Sequence, residues 1–479
     1  MPERPDPFAP QVRHTVVIED LIPASHPLRY VAAFVADLRP DDWAALEVGA
    51  AKDRGAPRSA PALLVRLWLS GFVLGIRSAR GLEQGCRERF DLYWACGGDP
   101  PDHNTLWRFY QRHRTAMRHL LRTTIQTAME LGLVDLAVQA VDGSKLIANA
   151  NPANAMSAAQ LAELETAITQ AIADLEAQQV GRDPAPPDLP PALHDAKVLQ
   201  QRVQQARASL DQAHPHSLNR TDPEARWMRT RTGLQLAYNA QAVVAATDSG
   251  IGGGPGRLIL AATVTTQAND ERLLAPLGQA AAASTGQPPA ETVLVADAGY
   301  GSRASRQAAL TAGFRLVTPP RQQRTTSPRY AKEAFAYDAA TDTYTCPQGR
   351  VLQRTAATTT GHQPAWRYQG DPARCHTCAA FGVCTTNTRH GRTVKVTELE
   401  LQQHQQDQWQ ATPAARELAA RRRGLIEPVF GIAKDRLGAR RTLLRGRANV
   451  EAEWVLTAIA FNLRTLARAA AVGSLAVAA

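Results

Sequence analysis

The sequence has few cysteines, few lysines and no long apolar run free of charges. Six cysteines in 479 residues are too few for the disulfide framework of a small secreted protein. The opening segment, MPERPDPFAP, has no apolar core, and no uncharged stretch is long enough to span a bilayer. These absences argue against a disulfide scaffold and against a membrane protein, so we expect a soluble protein of the cytoplasm.

Positive charge is carried mostly by arginine, because lysine is rare. The formal net charge is +10 at pH 7. The planar guanidinium group of arginine matches the oxygens of a phosphate, so the excess favours a polyanionic partner such as nucleic acid. The base composition of a GC-rich genome would explain the same arginine bias without such a partner.

The N-terminal part, residues 1–130, has apolar residues at helical spacing and predicts an all-α domain. A helix that begins near residue 102, with Asp102 or Asn104 as its N-cap, is rich in basic residues. This helix is either a DNA-reading helix entered from a turn or a packing helix with a solvated basic face. Its basic residues are Arg108, Arg112, His113, Arg114 and Arg118.

After residue 131, strand-like runs alternate with helical ones and predict a mixed sheet. Two helical segments within 155–215, separated by a proline-rich turn, predict an antiparallel hairpin inserted into this region. The hairpin is either an interaction arm or a decoration of the fold. Further along, a helix is expected to begin at Asn269 as its N-cap, with acidic residues in its first turn.

Two acidic residues close apolar runs, and a third lies on a basic helical stretch. Asp142 ends the run LAVQAV, and Asp297 ends ETVLVA. Because desolvating a carboxylate is costly unless it is paired, these two residues and Glu427 predict a pocket for hard divalent cations and phosphodiester chemistry. Simpler interpretations are an Asp-Gly turn at Asp142 and a strand-end cap at Asp297. For Glu427 the simpler interpretation is a surface ion pair with Arg423.

Four of the six cysteines fall in one segment with the spacing of a structural zinc site. A CxxC pair with two further cysteines can place thiolates around one tetrahedral ion. His376 or His390 could replace one ligand, and reduced thiols without a metal are the alternative. The four cysteines are Cys346, Cys375, Cys378 and Cys384.

A basic segment extends from Arg421 to Arg447, and only Glu427 and Asp435 oppose its charge. Such a segment should neutralise several phosphates and make DNA binding strongly dependent on salt. A solvated helix face is the alternative. The residues expected to bind DNA phosphates are Arg421, Arg423, Lys434, Arg440 and Arg441.

Several segments of the chain resemble the DDE transposases of bacterial insertion sequences, and among these the IS1182-like group of the IS4 and IS5 assemblage. The resemblance extends from the helical start to about residue 465. The order and spacing of the segments are together more specific than any one of them. The segments are VDGSKLIANAN, TDPEARWM, YNAQAVV, VADAGYGS and IEPVFGIAKDRLGARR.

This resemblance implies that Asp142, Asp297 and Glu427 are the catalytic acids of an RNase H-like fold. They would bind two Mg²⁺ ions, which Mn²⁺ could replace. The implied reaction is cleavage of the phosphodiester at the ends of an insertion sequence and joining of the freed 3′-hydroxyl to target DNA. The partners would be double-stranded DNA, as terminal inverted repeats and target, and a second copy of the chain, in a nucleoid-associated bacterial protein.

The IS4-type members also have a Tyr-Arg-Glu-Lys signature around the catalytic glutamate. Arg423, Glu427 and Lys434 match its last three positions, whereas Ala420 occupies the tyrosine position. At about 100° per residue, the three matching residues lie within about 40° of one another on a helix. We therefore expect Glu427 to project into the site with Arg423 and Lys434 holding phosphates beside it. Pro428 predicts a kink or a helix start.

Two other functions stay open from the residues alone. An RNase H-like nuclease would cut without strand transfer, and a DNA-binding derivative of an inactive element would not cut at all. The predicted fold class is α/β: an RNase H-like mixed sheet with helices on both faces, an all-α N-terminal domain, a helical-hairpin insert and a Cys-rich β insert. The predicted divisions are 1–130 for DNA binding, 131–329 and 396–468 for catalysis, 155–215 for the hairpin, 330–395 for the Cys-rich zinc insert and 469–479 for a tail.

Overall fold

Helices form the N-terminal part of the chain, and two larger sheets with further helices form the rest. The protein is therefore of mixed α/β type. The computed structural model describes residues 15, 17–46, 59–177, 191–213, 217–247, 256–319, 330–361, 363–387 and 389–471.

The helices fall into three groups along the chain. Among the described residues, eight helices precede the first strand, two more form an insertion, and six are spread over the C-terminal half. They are α1 (Ile18–Leu21), α2 (Pro27–Ala36), α3 (Pro40–Ala45), α4 (Pro61–Leu74), α5 (Ala79–Glu88), α6 (Phe90–Ala95), α7 (His103–His113), α8 (Leu120–Glu130), α9 (Ala158–Ala177), α10 (Pro191–Ala213), α11 (Leu274–Thr285), α12 (Arg303–Thr311), α13 (Pro372–His376), α14 (Glu398–Gln410), α15 (Pro413–Asp435) and α16 (Arg447–Ala471).

The strands belong to one mixed sheet, one antiparallel sheet and one short pair. They are β1 (Val134–Ile147), β2 (Ala155–Met156), β3 (Leu218–Asn219), β4 (Arg226–Thr230), β5 (Gly233–Thr247), β6 (Gly256–Thr265), β7 (Val293–Val295), β8 (Arg315–Val317), β9 (Ala336–Asp338), β10 (Thr343–Thr345), β11 (Val351–Thr360), β12 (Gln363–Gly370) and β13 (Thr393–Thr397).

The N-terminal helices share one hydrophobic core with the C-terminal helix α16. Helices α2, α4 and α8 all contact α16, and Trp68 of α4 and Trp454 of α16 are both fully buried in this core. The predicted boundary at residue 130 coincides with the end of α8. Across that boundary the core is continuous, because α16 carries apolar residues around its whole circumference and needs partners on several sides.

The mixed sheet has six strands and changes from antiparallel to parallel pairing at β1. Strand β5 pairs antiparallel with β1, β4 and β6, whereas β1 pairs parallel with β7, and β7 with β8. The parallel strands are joined through α11 and α12, as parallel connections require a crossover. The carboxyl end of the short strand β7 therefore lies against the middle of the longer strand β1.

Helices α9 and α10 pack against each other as a hairpin between β2 and β3. The short antiparallel pair of Ala155 with Asn219 closes the base of the hairpin. Leu161, Ile168 and Val203 form a small core between its helices. Along the second helix of the predicted hairpin, apolar residues recur at helical spacing, and the side chains of two of them, Ala206 and Leu210, lie outside the described residues.

Strands β9 to β13 form a five-stranded antiparallel sheet in the order β13-β12-β11-β10-β9. Its core contains Phe335, Tyr344, Tyr368 and Val396, and Leu401 of α14 packs onto it. This sheet contains most of the Cys-rich segment and lies in the sequence between the mixed sheet and α15.

Helix α15 does not begin at Pro428, which lies in its interior. The helix starts at Pro413, fifteen positions earlier in the chain, after Thr412, whose side chain accepts a hydrogen bond from the backbone N–H of Ala415. A proline cannot donate to the carbonyl four residues before it. Arg257 of β6 donates to that carbonyl, the oxygen of Gly424, at 2.8 Å, so the group stays satisfied and the helix continues.

Within the described residues, no single helix is both long and apolar enough to cross a membrane. Helices α4 and α5 would reach the required length and hydropathy only together, and they are bent by 91° relative to each other.

Candidate active site

Asp142 and Asp297 lie side by side because β1 and β7 pair in parallel. The register sets Val138 opposite Val293 and Ala140 opposite Val295. Asp142 and Asp297 each follow two residues later. In parallel strands, residues at the same level project from the same face, so this register brings the two carboxylates together at the end of the short strand β7.

Asp142 is held by one backbone group and one arginine. Its Oδ1 accepts a hydrogen bond from Gly143 N at 2.7 Å, and its Oδ2 accepts one from Arg422 Nη1 at 2.9 Å. The Asp142 side chain is 20% exposed and that of Arg422 is 14% exposed. Burial raises the pKa of Asp142, the Gly143 N–H and Arg422 oppose this rise, and the nearby Asp297 adds to it. Because Asp142 and Gly143 lie within β1 and pair with β5, the Asp-Gly turn interpretation is wrong.

Asp297 caps a short turn at the end of β7. Its Oδ1 accepts a hydrogen bond from Gly299 N at 2.8 Å, and its backbone oxygen accepts one from Thr318 Oγ1 at 2.8 Å. The capping contact is therefore present, as the simpler interpretation of this residue expected. It leaves the Asp297 carboxylate at the sheet edge beside Asp142, so capping and a role in a site are compatible.

A third carboxylate, Asp270, lies beside Asp297. A methyl group added at Gly299 would lie 2.9 Å from Asp297 Oδ1 and 3.3 Å from Asp270 Oδ2. The two carboxylates thus flank the same point. Helix α11 begins after Leu273, so the expected N-cap at Asn269 is wrong and Asp270 precedes the helix.

Two amides of β5 hold Asp270 in this position. Asn239 Nδ2 and Gln241 Nε2 both donate to Asp270 Oδ1, each at 2.8 Å. Tyr300 donates its hydroxyl proton to Gln241 Oε1, which fixes the orientation of that amide. Asn239, Gln241 and Tyr300 are fully buried. The sequence signal was the pair of amides in YNAQAVV, because polar side chains in a buried strand need partners.

Lys145 is a cationic residue three positions after Asp142 in β1. In the register of β1 with β5 it is opposite Asn239. Burial lowers the pKa of Lys145, while Asp270, Asp142 and Asp297 act in the opposite direction. All three carboxylates therefore act on its ammonium group, and their negative charge favours a cation at this place.

Glu427 is not brought to the two aspartates. Its side chain is 60% exposed, that of Arg423 is 81% exposed, and the two form a loose ion pair at 4.0 Å. Arg422, five positions before Glu427 and about 140° away around the helix, is the residue of α15 that reaches Asp142. The surface ion pair expected as the simpler interpretation is present in this conformation.

Lys434, the last residue of the signature, does reach β1. Its Nζ donates to Ser144 Oγ at 2.6 Å. Burial lowers the pKa of Lys434, and the charges of Arg231 and Arg440 lower it further. Ser144 lies two residues after Asp142 in the same strand, so Lys434 carries a positive charge close to the acidic edge of the sheet.

The donor chemistry of this edge fits divalent cations, but a complete set of ligands is not in place. Carboxylate oxygens are the ligands that Mg²⁺ and Mn²⁺ prefer. In the part of the chain that the structure describes, no group of three or more His, Cys, Asp or Glu side chains is placed to hold a metal ion. Asp142 and Asp297 can therefore provide a cation site only with some adjustment of their neighbours.

The four cysteines of the Cys-rich segment line one cavity of about 320 Å³. Cys346 Sγ accepts a hydrogen bond from Arg350 N at 3.3 Å. All four cysteines are free thiols. Among the described residues these cysteines do not form a metal-binding arrangement, so zinc binding by Cys346, Cys375, Cys378 and Cys384 is not supported.

Many of the basic residues expected to bind DNA already have protein partners. Arg421 pairs with Glu417, and Arg440 pairs with Asp435. Both pairs are exposed, and exposed pairs are weak, so phosphates could compete for these arginines. Arg441 lies next to β1, where its backbone bridges to Ile147.

Of the basic residues expected on the helix that begins near residue 102, Arg108, Arg112 and His113 lie on α7, whereas Arg114 and Arg118 follow its end. Arg114 bonds to Asn449 at 2.6 Å and Arg118 pairs with Glu451 at 3.2 Å, so both are tied to α16. His113 is buried against the backbone of Leu46. Arg108 and Arg112 are exposed. Asp102 is the N-cap of this helix, as expected, because its side chain accepts hydrogen bonds from two backbone N–H groups.

Two segments of the chain match family models of transposases. Residues 345–467 match the transposase DDE domain, and residues 16–112 match a transposase domain, DUF772. These matches support a DDE transposase. The DDE match includes the four cysteines of the Cys-rich segment, Glu427 and Lys434. It begins after Asp142 and Asp297 in the sequence and so does not include them. No curated protein matches the chain. The narrower IS1182-like assignment is not reached by these matches.

The matches to a transposase DDE domain and to a transposase domain are consistent with an enzyme that acts on DNA. They leave open which residues bind divalent cations and whether strands are joined after cleavage.

Proposed function

We propose that this protein is a DNA transposase that cleaves phosphodiesters at the ends of an insertion sequence and joins the 3′-hydroxyl to target DNA. The observation that carries the proposal is the parallel register of β1 and β7, which brings Asp142 and Asp297 together at one sheet edge. Matches to transposase families on both sides of these strands support it.

An RNase H-like core is part of the proposal. Three antiparallel strands, β6, β5 and β1, are followed by β7 and β8 parallel to β1, with helices in the parallel connections. This order supports such a core. It sets Asp142, which lies within β1, beside Asp297, which follows the carboxyl end of β7, and sites in α/β sheets commonly lie at the carboxyl ends of parallel strands.

The residues of this edge would hold the reacting groups in place. Asp142, Asp297 and, after a rearrangement of α15, Glu427 would hold divalent cations, which when bound activate the nucleophile and neutralise charge on the phosphodiester. Lys434, next to Ser144, is positioned to bind the phosphate of the DNA strand. Arg422 keeps the Asp142 carboxylate oriented until the cations and DNA compete for it.

The test is cleavage by the purified full chain, with Mg²⁺ or Mn²⁺, of duplexes that carry the inverted repeats flanking its reading frame. Asp142→Asn and Asp297→Asn should each reduce cleavage at least about a thousandfold, as loss of a catalytic group commonly does. DNA binding in a gel-shift assay should stay near that of the wild type. Asp135→Asn, in the same strand as Asp142 but at its other end, is the matched control and should cut normally. Normal cleavage by either site variant would contradict the assignment.

Strand transfer distinguishes this proposal from a nuclease. In the same reaction, a labelled end with a free 3′-hydroxyl should become joined to a target plasmid. Cleavage without joining under all conditions would favour the RNase H-like nuclease instead.

The active complex is proposed to contain two copies of the chain, because transposition pairs two DNA ends. Light scattering of the protein bound to end DNA should give the mass of a dimer with two duplexes.

A further inference from the structure

We propose that Asp270 is an additional acid of the same active site and contributes its Oδ2 to the divalent-cation site of Asp142 and Asp297. This inference rests on the proposed function. It concerns a residue that precedes α11, in a loop for which the sequence pattern predicted only the start of a helix.

The two oxygens of Asp270 have different surroundings. Oδ1 accepts both amide hydrogen bonds, from Asn239 and Gln241, at 2.8 Å each. Within the described part of the chain, no hydrogen bond reaches Oδ2, which lies on the side of Gly299 and Asp297. A carboxylate held by one oxygen with the other directed towards a second carboxylate is arranged to share a cation with it.

Two glycines provide the space for this arrangement. A Cβ at Gly143 would lie 2.2 Å from Gln241 Nε2, so only glycine lets that amide lie across β1 and reach Asp270. A Cβ at Gly299 would lie between the carboxylates of Asp297 and Asp270. Gly143 directly follows Asp142, and Gly299 lies two positions after Asp297. These two glycines thus leave the space between the acids free of side-chain atoms.

A buried carbonyl oxygen gives an independent indication of a ligand. Asn239 is fully buried, and its Oδ1 has no hydrogen-bond partner among the described residues. This oxygen lies 3.0 Å from the position of a Cβ at Gly143, so it is directed at the backbone next to Asp142. Leaving a buried acceptor unpaired is costly, and a cation with its bound water would supply the missing donor.

The contrast with Glu427 strengthens the inference. Asp270 is already in place beside Asp297, whereas Glu427 is largely exposed and pairs only loosely with Arg423. In the described part of the chain the three acids are not yet placed to hold a metal ion. We therefore expect the sheet edge to bind a cation before DNA is present, with Asp270 as a ligand, through adjustment of these side chains and without any movement of α15.

Titration of the full chain with Mn²⁺, followed by calorimetry and by the electron paramagnetic resonance signal of free Mn²⁺, tests this inference without DNA. Asp270→Asn keeps an oxygen that can accept from the two amides but removes the charge. It should weaken Mn²⁺ binding by more than about tenfold, a loss that even outer-shell changes cause at metal sites. Asp135→Asn is the control and should bind like the wild type.

A second variant guards against misfolding of the first. Gly299→Ala adds a methyl group between Asp297 and Asp270 and should also weaken Mn²⁺ binding. Unchanged affinity in both variants, or no Mn²⁺ binding by the wild type without DNA, would overturn the role of Asp270. If Asp142→Asn nevertheless abolishes cleavage, the proposed transposase function survives that result, so the two failures can be told apart.

Discussion

The two sides of the candidate site differ in how their residues are positioned. On the sheet side, Asp142, Asp297 and Asp270 are fixed by strand register and by buried amides. On the helix side, α15 directs Arg422 and Lys434 at β1 and leaves Arg423 and Glu427 at the surface. The acids of the sheet lie near one another, although in the described part of the chain they are not yet placed to hold a metal ion, and the acid of the helix lies apart from them.

The difference follows from the two kinds of secondary structure. A strand pair has one register, and a shift by one residue would turn every side chain to the other face. A helix that packs by a stripe of apolar residues can rotate or slide more easily, because its polar residues are set only by the packing of that stripe. Helix α15 packs through Leu425, Ile426 and Val429. We infer that binding of DNA and cations changes the helix side and leaves the sheet side as it is.

The largest expected effect separates the two sides in one experiment. Asp297→Asn should lose both strand cleavage and Mn²⁺ binding without DNA. Glu427→Gln should also lose cleavage, by at least about a thousandfold, yet bind Mn²⁺ like the wild type when DNA is absent, since its side chain is far from the assembled acids. Cleavage assays and Mn²⁺ titrations on the same preparations measure both.

Glu417→Gln is the matched control for the helix side. Glu417 lies on α15 and forms an exposed pair with Arg421, as Glu427 does with Arg423. It should cut and bind Mn²⁺ normally. Loss of DNA-free Mn²⁺ binding in Glu427→Gln would mean that the helix acid already belongs to the site, and the comparison of the two sides would fail.

The sequence predicted the sheet side better than the helix side. Asp142 and Asp297 were located because a carboxylate at the end of an apolar strand is unusual, and the register of β1 and β7 brings them together. The proposed role of Asp270 could not be predicted from the sequence, because its partners, Asn239 and Gln241, are adjacent in space and distant along the chain. Only the register of β5 with β1 places those amides over Gly143.

The helix side could not be fixed from spacing. The signature residues lie within about 40° of one another around the axis of any α-helix. This angle does not show which face of the helix packs against the rest of the protein. The apolar residues of α15 determine which face of the helix is buried, and in that orientation Arg422 reaches Asp142. Similarly, Pro428 does not start the helix, because Arg257, from a strand far away in sequence, satisfies the carbonyl of Gly424.

A second prediction compares two neighbouring arginines of α15. Arg422→Met removes the side-chain donor of a mostly buried carboxylate, and leaving that acceptor unsatisfied should lower the free energy of unfolding by about 1–3 kcal/mol. Arg423→Met removes only an exposed pair at 4.0 Å and should change stability by less than about 0.5 kcal/mol. Urea unfolding followed by circular dichroism measures both. Equal effects of the two variants would show that Arg422 is not set apart by its contact with Asp142.

The smallest expected effect concerns the end of the helix side, where a buried acid anchors the loop after α15. Glu453 accepts hydrogen bonds from the backbone N–H groups of Leu443 and Leu444 and pairs with Arg77 at 2.6 Å. Burial raises the pKa of Glu453, and Arg77 and the two backbone groups only partly oppose this. A raised pKa means that the folded state binds the proton more tightly than the unfolded state does. The stabilising contribution is therefore present below the ordinary value of 4.5 and is lost as the pH rises through the raised value.

The difference in unfolding free energy between the wild type and Glu453→Gln should accordingly shift in favour of the variant as the pH rises above about 4.5, and should be constant below it. Urea unfolding at a series of pH values, with a chelator present, measures this slope independently of any offset from the lost pair with Arg77. A shift in favour of the wild type would mean that Arg77 lowers the pKa of Glu453 more than burial raises it. In that case a strong ion pair would hold the loop after α15 at neutral pH. The helix side would then be too rigid for the rearrangement on binding DNA and cations that we infer.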